Sequence, residues 1–205
     1  MDPVCFLINS IVMKRSLLIL IVATTFLSSS YFDNGTWIID SKSRLTIYGS
    51  TNINNFVCKI DCYTGSDTLQ FVKNYNACEI QFYRNRMTIP IRSFDCGSKQ
   101  ISKDFWGTLK SETYPQLQIN FRSLENLPVN NNDWVNGIVD ITLAGVTAQY
   151  TIRYYVSRDK NVIFLKGTQP VNFSDFKLEA PEKLKGLIKV NESLKVEFNL
   201  VLKEI

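Results

Sequence analysis

The sequence predicts an all-β fold, either a sandwich or a barrel. Two observations carry this prediction: short segments in which apolar and polar residues alternate, and turn residues between those segments. The clearest segment lies near the C-terminus, where Leu194, Val196, Phe198, Leu200 and Leu202 share one face and polar residues occupy most of the other. A strand with this pattern buries one face and exposes the other to water.

Further strand centres follow one another from Trp37 onward, at residues 45–47, 80–82, 89–91, 119–121, 139–143 and 152–154. Ala144-Gly145 predicts a tight hairpin, and residues 49–55 predict a loop. We expect one helix over residues 102–111, capped by Ser102, because Pro115 follows its end. Residues 181–186 predict a second, short helical turn.

Composition bounds the class of protein. The chain has 205 residues, 45% of them hydrophobic, and a net charge of +4, which together indicate one globular domain. No concentrated basic stripe is present, so we expect no nucleic-acid partner. The absence of histidine excludes Ser-His-Asp and Cys-His catalysis, histidine-containing zinc sites and histidine-ligated haem.

Residues 1–30 resemble a signal peptide. Lys14 and Arg15 form a basic start, residues 16–27 are largely apolar, and Ser28 to Ser30 offer a cleavage site. Translation could begin at Met13. We therefore expect a mature domain over residues 31–205, in the periplasm or secreted, with no stable membrane insertion after cleavage. Oligomerisation is left open.

Four cysteines follow the leader: Cys58, Cys62, Cys78 and Cys96. An even number in an exported chain indicates disulfides, and the spacing is not that of a zinc ribbon, so no metal site is predicted. Cys58 and Cys62 are too far apart along a strand to pair with each other. Two connectivities remain, of which we favour Cys58–Cys96 with Cys62–Cys78.

Several segments together resemble the YceI-like family. They are Trp37 to Ser43, Leu109 to Glu112 followed by Tyr114-Pro115, Ile119 to Phe121, Ser93 to Gly97, and Val135 to Gly137 running into Asp140 to Thr147. The resemblance implies an extended lipocalin-like antiparallel β-barrel of about eight strands with one or two short helices. It also implies a polyisoprenoid or similar long-chain lipid in the interior.

A barrel of this size either fills with its own side chains or holds one ligand. The aromatic residues that could line a cavity are Phe56, Phe94, Phe105, Trp106, Phe121, Phe164 and Phe198; the alternative is that they are simply core. No aspartate among Asp40, Asp61, Asp95, Asp104 and Asp140 belongs to a recognisable catalytic pair. We therefore expect no cofactor and a lipid carrier, not an enzyme. A ligand-free envelope interaction module and an uncharacterised hydrolase or isomerase are the alternatives.

Overall fold

The computed structural model of the chain describes residues 32–60, 63–74, 78–125, 127 and 133–205. These residues form one helix, α1 (Lys99–Thr108), two single 3-10 turns (Ile91–Ser93 and Ser174–Phe176) and thirteen strands. The strands are β1 Phe32–Ile39, β2 Arg44–Ser50, β3 Asn55–Ile60, β4 Thr68–Asn74, β5 Glu79–Arg84, β6 Arg86–Pro90, β7 Gln116–Glu125, β8 Asp133–Leu143, β9 Val146–Asp159, β10 Val162–Asn172, β11 Glu182–Lys183, β12 Ile188–Lys189 and β13 Ser193–Glu204.

Eight strands close into an antiparallel barrel in the order β1, β4, β5, β7, β8, β9, β10 and β13. Closure comes from β13, which pairs with β10 on one side and with β1 on the other. The hairpin of β2 and β3 also pairs with β13, and β6 pairs with β7. The predicted lipocalin-like all-β barrel of about eight strands is therefore confirmed.

Strand β13 shows how the sequence sets the two faces of the wall. Its five apolar alternate residues, from Leu194 to Leu202, are all buried in the barrel, while Ser193, Lys195 and Lys203 are exposed. Burying a leucine or phenylalanine side chain contributes about 1.5–3 kcal/mol, so the alternation fixes which face turns inward. The predicted orientation of this strand is confirmed.

The predicted helix boundaries are wrong by three residues. Helix α1 begins at Lys99, and its N-cap is Ser98, whose hydroxyl accepts a hydrogen bond from the Ile101 amide at 3.2 Å. Ser102 is buried inside the helix, where its hydroxyl donates to the Ser98 carbonyl and accepts from the Cys96 amide. Ser102 thus ties the first turn to the preceding loop and does not cap the helix.

The expected helical turn at residues 181–186 is also wrong. Those residues belong to a two-stranded hairpin in which β11 pairs with β12. Its tip contains Leu184, Lys185 and Gly186, all with positive φ. Three successive left-handed residues cannot continue a right-handed helix, which explains the difference.

The favoured disulfide Cys58–Cys96 is present and joins β3 to the loop before α1. Backbone hydrogen bonds between Lys59 and Asp95 run beside it, at 2.9 and 3.0 Å. Cys78 is exposed at the start of β5, and Cys62 lies outside the described residues, so the second pairing stays a prediction. The signal peptide also lies outside them. Within the described part of the chain, no helix is long and apolar enough to cross a membrane.

Candidate functional site

An apolar cavity with a volume of about 330 Å³ lies at one end of the barrel. Three segments enclose it: residues 51–56, helix α1 and the hairpin segment 181–190; we call this end the mouth. Its apolar lining includes Ile53, Phe56, Ile101, Phe105, Ile188 and Val190. At its edge the Lys183 ammonium group donates to an Asp104 carboxylate oxygen at 2.9 Å, which fastens the hairpin to the helix.

A second cavity of about 50 Å³ lies inside the barrel, under the mouth. Its walls are aliphatic side chains of β2, β7, β8, β10 and β13, together with Phe94, Phe105, Phe176 and Phe198. Phe105 lines both cavities, so the two adjoin at this side chain.

Neighbouring contacts hold Phe105 in place. Its ring packs edge-on against Phe94, with centroids 5.5 Å apart, and Trp106 donates its indole N–H to the Phe94 carbonyl at 3.0 Å. Phe94 is anchored two residues before Cys96, whose disulfide fixes the loop to β3. These contacts support the Phe105 side chain from the loop before α1.

The other end of the interior is filled with aromatic rings. Trp37, Phe71, Phe82 and Phe121 contact one another in sequence, with centroid separations from 4.4 to 6.2 Å. The cavity that they leave, also lined by Tyr154, has a volume of only about 10 Å³, enough for about one water molecule. We call this end the aromatic half.

The hydroxyl of Tyr154 is buried in the aromatic half. Among the described residues it has no hydrogen-bond partner. Burial raises the pKa of Tyr154, because an ionised phenolate would be stranded among apolar side chains. Tyr154 is therefore a neutral, packing side chain.

The predicted lining residues divide between the two ends. Phe56, Phe94, Phe105 and Phe198 line the mouth or the inner cavity, Trp106 packs beside them, and Phe121 belongs to the aromatic half. Phe164 is wrongly predicted: its side chain is 39% exposed on the outer face of β10. Its neighbours Ile163 and Leu165 are the buried residues, so alternation turns Phe164 outward.

Sequence reasoning missed the aliphatic part of the mouth, which comes from Ile53, Ile101, Ile188 and Val190. Ile53 stands between asparagines in a predicted loop, and the other three residues lie just outside the predicted helix, 102–111, and the predicted helical turn, 181–186. The sequence did contain one indication: an isolated apolar residue in a polar loop, such as Ile53, does not belong to the buried face of any strand, so it must be accounted for in another way.

The aspartates considered as catalytic candidates have structural contacts. Asp140 accepts from Arg122 at 2.5 Å and from Gln149 at 3.0 Å, and Asp95 accepts from the Gly97 amide at 2.9 Å. The Lys203 ammonium group beside Asp40, helped by the Lys42 amide, holds the pKa of that carboxyl below its usual value. Asp61 lies outside the described residues.

Comparison with known proteins gives matches among solved structures. No family model matches the chain, and a search of curated proteins found no significant match. A polyisoprenoid binding domain from Saccharophagus degradans superposes with a TM-score of 0.63 at 16% identity, covering 84% of this chain and all of that one. BcnA of Burkholderia cenocepacia superposes with a TM-score of 0.59 at 20% identity, covering 80% of this chain and 98% of that one.

A YceI protein of Campylobacter jejuni matches more weakly, with a TM-score of 0.48 at 17% identity, covering 61% of this chain and 74% of that one. The first two matches span nearly the whole length of their own chains, which shows that they share the overall fold described above. The chain therefore has the YceI-like barrel fold that its sequence resemblance predicts.

Proposed function

We propose that this chain is an exported binding protein that holds a long apolar lipid, of polyisoprenoid, isoprenoid-quinone or fatty-acyl type. One observation carries the proposal: an apolar cavity of about 330 Å³ opens at the mouth next to an apolar cavity inside the barrel, and Phe105 belongs to the lining of both. Pockets that bury small ligands have volumes of about 300–1,000 Å³, so the mouth is large enough to receive part of a lipid chain.

The energetics suit a chain without a strongly polar site. Each buried methylene group contributes about 0.8 kcal/mol, so a chain of several methylenes needs few hydrogen bonds to be retained. In this proposal one segment of the chain occupies the mouth, and Phe105 rotates to admit the next segment into the inner cavity. The solved structure described as a polyisoprenoid binding domain supports the ligand class by analogy of fold.

The proposal treats the chain as a binder and not as an enzyme. The contacts of Asp40, Asp95 and Asp140 support this, because each of these carboxylates is engaged by neighbouring donors outside both cavities. Asp104 is the described aspartate at the mouth, and it is paired with Lys183. The leader-like residues 1–30 support export, with residues 31–205 as the mature domain.

The test is organic-solvent extraction of the purified protein followed by mass spectrometry of the extract. We expect a long-chain lipid at close to one molecule per chain. Thr108, which lines the mouth, provides the variant: Thr108→Trp fills the cavity and should lower the bound lipid several-fold. Gly107→Trp on the same helix is the control, because a side chain added there meets open space.

The two variants also locate the ligand. Equal lipid content in the wild type and in both variants would place the ligand outside the mouth. A lipid-free extract, together with no uptake of added polyprenol or fatty acid, would contradict the binding function altogether and favour a ligand-free interaction module.

A further inference from the structure

The rim of the mouth carries four exposed apolar side chains. Leu187 is 72% exposed, Leu184 67%, Ile53 60% and Ile101 42%. They are held close together: the Asn52 side chain donates to the Leu187 carbonyl at 2.9 Å and accepts from the Lys189 amide at 3.0 Å, while Ile53 and Ile101 line one cavity with Lys183. Exposed apolar residues gathered in one place mark interaction sites.

Lysines surround these apolar side chains. The three rim segments, residues 51–55, 99–108 and 181–190, contain five lysines, namely Lys99, Lys103, Lys183, Lys185 and Lys189, and two acidic residues, Asp104 and Glu182. Both acidic residues are already paired, Asp104 with Lys183 and Glu182 with Lys189 at 3.0 Å. The rim thus has a surplus of three positive charges in a chain whose net charge is +4.

At the tip of the hairpin, Leu184 is exposed in an unfavourable backbone conformation. Leu184 has a φ of 52°, in the left-handed region that a bulky apolar residue rarely adopts. An asparagine or glycine would relieve both the backbone strain and the exposure of the leucine side chain. Strain of this kind persists where the surrounding structure enforces it, which occurs most often at functional positions.

We infer that the rim of the mouth docks on the surface of a bilayer that contains anionic phospholipids. Apolar side chains enter the boundary between headgroups and acyl chains, and the surrounding lysines contact the negative headgroups. Docking in this way aims the opening of the cavity at the membrane, so a lipid could pass between the two without crossing water. Only that last step rests on the proposed lipid-binding function; the docking itself does not.

The test is co-sedimentation of the purified chain with vesicles of phosphatidylcholine alone or with added phosphatidylglycerol. Two variants probe the rim, and each has a counterpart at the opposite end of the barrel. Lys185→Glu is matched by Lys160→Glu, since both lysines are exposed in turns with φ of 56° and 52°. Leu187→Ser is matched by Ile205→Ser, since Ile205 is 79% exposed.

We expect binding that requires phosphatidylglycerol and weakens with salt. Lys185→Glu should lower the vesicle partition coefficient at least about fivefold, because one lysine near an anionic surface contributes roughly that factor to binding. Leu187→Ser should lower it about tenfold, because less apolar surface is then buried in the bilayer. Lys160→Glu and Ile205→Ser should leave it unchanged. Each rim variant and its control differ from the wild type at one residue only. Any membrane binding by another segment of the chain is therefore the same in both and does not affect the comparison.

The inference would be overturned if the rim variants and their controls at the opposite end lost vesicle binding equally, or if binding did not depend on anionic lipid. Dimerisation in sedimentation velocity without vesicles that Leu187→Ser abolishes would also overturn it, because a second copy would then cover the rim. The vesicles contain neither polyprenol nor fatty acid. A failure of docking is therefore distinguishable from a failure of the cavity to bind lipid.

Discussion

The mouth and the aromatic half lie at opposite ends of one barrel but are built differently: segments outside the eight barrel strands enclose the mouth, whereas side chains of the barrel strands fill the aromatic half. In the aromatic half, rings of Trp37, Phe71, Phe82 and Phe121 fill the space and leave about 10 Å³. At the mouth, aliphatic side chains and Phe105 leave about 50 Å³ inside and 330 Å³ at the opening. The comparison shows that the described barrel interior leaves more space under the mouth than in the aromatic half, where rings supply packing.

Packing in the aromatic half depends on small neighbours of a large residue. Tyr154 of β9 pairs with Gly167 of β10 and Val135 of β8, and its ring lies close to both Gly167 and Gly137. A Cβ atom added at either glycine would lie 2.9 or 2.8 Å from the Tyr154 ring. The two glycines therefore let the ring lie closely against the barrel wall.

The largest expected effect comes from placing a charge inside the barrel. Phe198→Asp should unfold the chain, because Phe198 is 1% exposed and its replacement would bury an unpaired carboxylate among apolar groups. Phe164→Asp is the control: the same substitution on the outer face of the adjacent strand should change stability by less than about 1 kcal/mol. Circular dichroism during urea unfolding measures both.

Similar destabilisation by the two aspartates would mean that the outer face of β10 is covered by something other than water. A folded Phe198→Asp variant that still retains lipid would contradict the assignment of the inner face.

The second effect separates the two halves by function. Phe105→Ala and Phe121→Ala both remove a buried ring and should each cost about 3–5 kcal/mol in the free energy of unfolding. Of the two residues, only Phe105 lines both the mouth and the inner cavity, so Phe105→Ala alone should bind a longer lipid chain or take up added lipid faster. Mass spectrometry of extracts after incubation with polyprenols of several lengths is the measurement. A matching gain in Phe121→Ala would show that lipid reaches the aromatic half.

Alternation in the sequence predicted which face of a strand is buried, but it did not predict how much space the buried faces enclose. The apolar residues of β13 follow a strict period of two, which fixes one face without any knowledge of the partner strand. In β10, by contrast, Ile163, Phe164 and Leu165 are all apolar, and only pairing with β13 decides that Phe164 points outward. Pairing is a long-range property, so the local pattern could not supply it.

The candidate site was harder to predict than the fold for a related reason. Its walls come from three separated segments, 51–56, 99–108 and 181–190, which meet only because the barrel closes. The hairpin was expected to be helical, since Lys, Leu and Glu favour helices locally, and its left-handed tip has no signature other than Gly186. Phe56 and Phe105, two of the aromatic residues proposed as lining, do line this cavity, and their contact with a ligand stays a prediction.

The third effect concerns how the mouth is braced. Replacing both cysteines of the Cys58–Cys96 bridge with serine should lower the free energy of unfolding by about 2–4 kcal/mol, through greater freedom of the unfolded chain. The bridge anchors the loop before α1, so hydrogen exchange should accelerate at amides of that helix, such as Leu109, and hardly at Ile152 in the barrel wall. Faster exchange at both places in equal measure would mean that the bridge stabilises the barrel as a whole.

The smallest effect tests the packing of the aromatic half atom by atom. Tyr154→Phe removes a buried hydroxyl that has no partner among the described residues, so we expect the free energy of unfolding to rise by about 1 kcal/mol. Tyr150→Phe is the matched control, because the Tyr150 hydroxyl donates to an Asp175 carboxylate oxygen at 2.8 Å, and its removal should lower stability by about 1 kcal/mol. Both substitutions remove the same hydroxyl group, so stability changes of opposite sign would follow from whether that hydroxyl has a hydrogen-bond partner. A loss of stability in Tyr154→Phe as large as that in Tyr150→Phe would mean that the Tyr154 hydroxyl is satisfied in solution, and that the aromatic half is less tightly closed than its rings indicate.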